Sequence, residues 1–105
     1  MIKEFVNITD KEVAQMTKDE YILVDIRDEA SVRYGMIPDA INIPQGEIEG
    51  KVDALGKDKK IILYCTRGIF SKECAELLRN RGIEAYSLEG GYTGWLLGSD
   101  KESCR

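Results

Sequence analysis

Ile61-Ile62-Leu63-Tyr64-Cys65-Thr66-Arg67-Gly68-Ile69-Phe70-Ser71 is the stretch on which the fold turns. Its first four residues form an unbroken apolar run, the pattern of a strand buried on both faces. Cys65 ends the run. Thr66 to Phe70 reads as a short loop, with Ser71 as the N-cap of the helix that follows. From Ser71 to Arg81 the periodicity is helical: Cys74, Ala75, Leu77 and Leu78 form the inner stripe, and Gly82 is the C-cap. A cysteine between a strand end and a helix start faces unpaired backbone N–H groups. Those donors, with the helix dipole, favour a thiolate over a thiol.

Outward from this stretch, strands and short helices alternate. Phe5-Val6-Asn7-Ile8 reads as a strand, and Thr9 with Glu12 as a capping box opening a helix to about Met16. Tyr21 to Val24 is a strand. Asp28 caps a helix to Tyr34, which Gly35 stops. Ala40 to Ile43 is extended, and Gly46 to Leu55 is weakly helical up to Gly56. Glu84 to Leu88 is a strand, Gly90-Gly91 a turn, Tyr92 to Leu97 a final helix, and residues 98–105 a polar tail. The expectation is one α/β domain over 1–105, with a mostly parallel sheet of about five strands and helices on both faces. In such sheets sites lie beyond the carboxyl ends of the strands, where Cys65 falls.

Composition narrows the chemistry. Of 105 residues, 43% are hydrophobic and 32% charged, an ordinary globular balance. No apolar run approaches the roughly 20 residues of a membrane span, and Met1 to Phe5 lacks a secretory h-region. These features read as a cytoplasmic protein with no membrane partner. The net charge of −4 argues against nucleic acid. The field near Cys65 differs in sign, since Arg67, Lys72, Arg79 and Arg81 outnumber Glu73 and Glu76. There is no histidine, which removes Ser-His-Asp and Cys-His catalysis within this chain. Cys65, Cys74 and Cys104 have neither a disulfide framework's even count nor zinc spacing, so no metal and no cofactor are expected.

Three blocks resemble the rhodanese family of single-domain sulfurtransferases. Val24-Asp25-Ile26-Arg27 followed by Tyr34-Gly35-Met36-Ile37-Pro38-Asp39-Ala40-Ile41-Asn42-Ile43-Pro44 is similar to D-x-R and G-H-I-P-G-A-x-N-I-P. Tyr64 to Ser71 is similar to the catalytic loop C-x-x-G-x-R-S, and Leu88 to Trp95 to the closing G-G-x-x-x-W. Met36 stands where the family usually has histidine, Asp39 where it has glycine, and Phe70 where arginine is frequent.

The resemblance implies transfer of a sulfane sulfur through a persulfide on Cys65. The donor would be thiosulfate or a persulfide, and the acceptor cyanide or a thiol, including one carried on a protein. Cys65 takes the nucleophile's role. The backbone of Thr66, Arg67, Gly68, Ile69, Phe70 and Ser71 takes that of the anion cradle, with Arg67 as the anion contact. On the residues alone, Phe70 is a hydrophobic rim or core anchor. Cys74 is a core residue rather than a resolving thiol, and Cys104 an exposed incidental thiol on a tail that could also reach Cys65 and form a disulfide. Asp25 and Arg27 share one face of a strand end and make structural polar contacts. Tyr92 and Trp95 anchor the last helix on the sheet.

Other functions remain on the same residues. A sulfur carrier fed by a partner enzyme would use the same Cys65 chemistry. A non-catalytic interaction module is disfavoured by the presence of the cysteine. A phosphatase or arsenate reductase would resemble C-x5-R, whose arginine falls on Ser71, so the loop is one residue short.

Overall fold

A computed structural model of the chain describes residues 6–55 and 58–103. Five strands form one sheet: β1 (Asn7–Ile8), β2 (Tyr21–Asp25), β3 (Ile41–Asn42), β4 (Lys60–Tyr64) and β5 (Ala85–Leu88). Their order is β1-β5-β4-β2-β3 and every pairing is parallel. The helices are α1 (Asp10–Ala14), α2 (Glu29–Arg33), α3 (Ile48–Lys51), α4 (Ile69–Asn80) and α5 (Gly91–Ser103).

β4 lies at the centre because its apolar run tolerates cover on both faces; Ile61, Ile62, Leu63 and Tyr64 are all fully buried. The strand pleat sends alternate residues to opposite layers. Ile61 and Leu63 join Val24, Ala85 and the Cys74, Ala75 and Leu78 stripe of α4, with Ile48 of α3. Ile62 and Tyr64 join Leu23, Tyr86 and Leu88, with Val13 of α1 and Tyr92 and Trp95 of α5. Helices therefore cover both faces, as expected. Tyr92 and Trp95 are the expected anchors, their rings stacked with centroids 5.9 Å apart.

The caps follow local chemistry. Thr9 and Glu12 form the capping box, with the Glu12 N–H donating to Thr9 Oγ1 at 3.1 Å and the Thr9 N–H to Glu12 Oε1 at 3.1 Å. Asp28 accepts the Ser31 N–H at 2.8 Å and caps α2. Asp39 adopts φ 72°, the left-handed conformation that glycine favours and aspartate tolerates. The expected helix over Gly46 to Leu55 is α3 flanked by 3₁₀ turns at Gln45–Glu47 and Val52–Leu55.

Three expectations change. The main helix starts at Ile69, two residues before Ser71, so Ile69 and Phe70 belong to its first turn rather than to the loop. The N-cap is Gly68, in the left-handed conformation with φ 92°, and no side chain caps it. The last helix does not stop at Leu97 but runs to Ser103, through most of the stretch read as a polar tail. Phe5, Gly56 and Cys104 lie outside the described residues. No helix among the described residues is long and apolar enough to cross a membrane.

Candidate active site

Cys65 follows β4 at the carboxyl edge of the sheet and is 5% exposed. Its sulfur accepts the Gly68 N–H at 3.1 Å and lies 3.5 Å from Ser71 Oγ. The sulfur thus stands where a capping side chain would stand, at the open N–H groups of α4. This accounts for Gly68 as a bare N-cap: the chain must turn back sharply to aim those amides at one atom. A Cβ at Gly68 would sit 3.2 Å from the Leu88 carbonyl oxygen and 3.3 Å from the Gly90 nitrogen. The positive φ and the close backbone both favour glycine.

Burial pushes the Cys65 thiol up. The Ser71 hydroxyl and the amides of Ser71, Gly68 and Arg67 outweigh it, so the thiol lies below its ordinary value. Ionisation is favoured in the folded state. Its contribution to stability is present above the unfolded thiol's pKa and fades as pH falls through the lowered folded value.

Cys65, Thr66, Arg67, Ile69 and Phe70 line one open pocket of about 270 Å³. Phe70 is 57% exposed and Ile69 63%, so Phe70 is a rim residue and not a core anchor. Arg67 also lines a neighbouring cleft of about 530 Å³ together with Lys72, Glu73, Glu76 and Glu89. Ser71 is fully buried beneath the sulfur rather than at the pocket wall. Of the six expected cradle residues, Thr66, Arg67, Ile69 and Phe70 line the pocket with Cys65, while Gly68 and Ser71 meet the sulfur from behind.

Cys74 is buried in the layer between α4 and the sheet. Burial, and then the neighbouring Cys65, push its thiol up. The two thiols are therefore offset in opposite directions. Alkylation with iodoacetamide followed by peptide mass mapping is expected to modify Cys65 first as pH rises from the acid side, with Cys74 protected throughout the neutral range.

Two supports lay outside the sequence reading. Ser87 of β5, fully buried, holds Ser71 through a 2.7 Å hydroxyl contact. The start of α5 clamps the loop: the Tyr92 N–H donates to the Cys65 carbonyl at 2.8 Å and the Thr93 N–H to the Thr66 carbonyl at 3.0 Å. A serine among Ala85, Tyr86 and Leu88 was the available signal for the first. The Gly90-Gly91 pair was the signal for the second.

Asp25 and Arg27 make the structural contacts expected of them. The Arg27 Nη2 donates to Asp25 Oδ2 at 2.8 Å and to the Gly35 carbonyl at 2.6 Å, and its guanidinium lies 4.2 Å from the Tyr92 ring centroid. One cation thereby joins β2, the segment after α2 and α5. Asp25 is fully buried, so this pair is an internal brace.

Cys65 thus lies beyond the central strand of a parallel α/β sheet, with its sulfur at the N-terminus of a helix. The Rhodanese-like domain profile matches residues 9–97. YtwF of Bacillus subtilis, a provisionally assigned sulfurtransferase, is 34% identical over 94 residues, spanning 90% of each chain. The thiosulfate sulfurtransferase GlpE of Shewanella oneidensis is 29% identical over 90% of this chain and 95% of its own. A rhodanese-related protein of Thermoplasma volcanium superposes with a TM-score of 0.80 at 28% identity, covering 90% of this chain and 93% of its own. The chain belongs to the rhodanese-like domain family.

Proposed function

We propose that this chain is a rhodanese-type sulfurtransferase that carries a sulfane sulfur as a persulfide on Cys65. One observation carries the reading: a sulfur that accepts the Gly68 N–H at the N-terminus of α4 and lines an open pocket. The Cys65 thiolate attacks the outer sulfur of thiosulfate or a persulfide. The electron pair of the donor's S–S bond leaves with sulfite or the donor thiolate. The outer sulfur of the new persulfide carries the negative charge toward the loop amides and Arg67. A thiolate or cyanide then takes that sulfur, and the S–S electron pair returns to Cys65 as thiolate. No histidine base is required, because the donors at the sulfur favour the ionised form from the start.

Loop length opposes phosphoryl transfer. A C-x5-R arginine would fall on position 71, and Ser71 is buried under the sulfur. The sulfur-carrier reading is favoured by the exposed Ile69 and Phe70, which give the mouth apolar surface for a larger donor or acceptor.

Incubation with thiosulfate should add the mass of one sulfur atom to the intact protein, and cyanide should then release thiocyanate. If neither thiosulfate nor any persulfide donor loads sulfur, the proposal fails. Strong loading by persulfides with slow turnover on thiosulfate would favour the carrier. Phe70→Arg places a second cation beside Arg67 and is expected to lower the KM for thiosulfate severalfold. Steady-state kinetics check this, and an unchanged KM would mean that position 70 does not meet the anion.

A further inference from the structure

Ser71 and Ser87 are both fully buried, on α4 and β5. Each hydroxyl has one proton to donate. Their oxygens are 2.7 Å apart; Ser71 Oγ is 3.5 Å from Cys65 Sγ, and Ser87 Oγ is 3.5 Å from the Gly68 carbonyl oxygen. The four groups form a line, with the thiol at one end and a backbone carbonyl at the other. Ser87 is paired in register with Leu63, on the layer facing α4, where Ala85 and Leu63 are apolar. A buried hydroxyl there costs stability unless it is bonded, and its short bond goes to Ser71.

With the thiol protonated, S–H donates to Ser71, Ser71 to Ser87, and Ser87 to the Gly68 carbonyl. With the thiolate, Ser71 must donate to sulfur, and its oxygen is free to accept. We propose that Ser87 is a positioning residue for Cys65. Its hydroxyl turns from the Gly68 carbonyl to Ser71 when the thiol ionises, and so holds Ser71 as a donor to the thiolate. The thiol proton leaves to water through the pocket, while the two serine protons only change partners. The same arrangement recurs when an acceptor takes the outer sulfur and Cys65 departs as thiolate, so the pair serves both half-reactions.

The other groups bearing on the site are Arg67 at the pocket mouth and Cys74 on α4, with Glu73 and Glu49 acting on Cys74 from α4 and α3. β5 contributes the uncharged Ser87. The expected effect therefore runs through hydrogen bonding, and added salt should change it little.

The inference takes Cys65 as the reacting thiol, as in the function proposed above, but its test needs no sulfur donor. The rate of Cys65 alkylation is followed against pH by peptide mass mapping for the full chain and four variants. Ser71→Ala should raise the midpoint by about one pH unit, since it removes a hydrogen bond to a charge. Ser87→Ala should raise it by about half a unit, and Ser87→Thr, which keeps the hydroxyl, should restore the wild-type midpoint. The Ser71→Ala/Ser87→Ala double variant should match Ser71→Ala alone, because Ser87 acts only through Ser71. An unchanged midpoint in Ser87→Ala, or full additivity in the double variant, overturns the proposal. Those two results decide the matter even where threonine proves too large for the site. Failure of wild type to load sulfur while the midpoints shift as stated would reject the sulfurtransferase reading and leave the hydroxyl pair standing.

Discussion

Cys65→Ser is expected to take up no sulfur and to form thiocyanate at least about a thousandfold more slowly than wild type. The reason lies in the first bond made. A thiolate displaces sulfite from a sulfane sulfur because it is ionised, polarisable and a good leaving group in the return step. A serine hydroxyl in the same place accepts the Gly68 N–H but stays protonated, because amide donors offset only a few pKa units of an alcohol's acidity. The fold should survive, since oxygen satisfies the same donor. Intact mass after thiosulfate treatment and a cyanide-coupled assay check the loss, and a thermal melt checks the fold. Full turnover in this variant would show that the nucleophile lies elsewhere.

Gly91→Ala is expected to destabilise the chain by about 4 kcal/mol and to blunt the reactivity of Cys65 in the same step. Gly91 has φ 58°, in the left-handed region. An added Cβ would press into the Cys65 carbonyl oxygen and lie 2.7 Å from the Thr66 carbonyl oxygen and 2.8 Å from the Thr66 carbonyl carbon. These are backbone atoms and cannot rotate aside. They are also the groups that the Tyr92 and Thr93 amides hold, so relief requires the start of α5 to withdraw from the loop. Chemical denaturation measures the first effect, and the alkylation rate of Cys65 at neutral pH the second. A variant of wild-type stability would mean that the clamp yields without cost.

Much of the scaffold was legible from chain-local chemistry. The apolar runs at Tyr21, Ile61 and Ala85 are strands because their side chains can be buried on both faces, and Thr9 with Glu12 caps a helix through contacts three residues apart. Cys65 was legible as well, since a strand end followed by glycine and a helical stripe places it at open amides. The start of α4 was not. N-cap rules look for serine, threonine, aspartate or asparagine, and here a sulfur three residues before Gly68 takes that place. The end of α5 was misread because Gly98-Ser99-Asp100-Lys101-Glu102-Ser103 shows no apolar stripe. Ser87 is not legible because its partner lies sixteen residues away on another element, a pairing that the packing of α4 against β4 and β5 brings about.

The sheet order carries a consequence for how the chain comes into being. β1 pairs with β5 alone, so the strand made first waits for the strand made last. Cys65 and the amides of α4 emerge well before Ser87, Tyr92 and Thr93 during synthesis from the amino end. Until those residues arrive, the carbonyls of Cys65 and Thr66 lack the amides of Tyr92 and Thr93, and Ser71 lacks the hydroxyl of Ser87. The growing chain is therefore expected to carry an unremarkable thiol, slow to exchange with disulfides around it. The fold thus ties the setting of Cys65 to β5 and the start of α5, and a chain cut before Ser87 is expected to carry the cysteine without its temper.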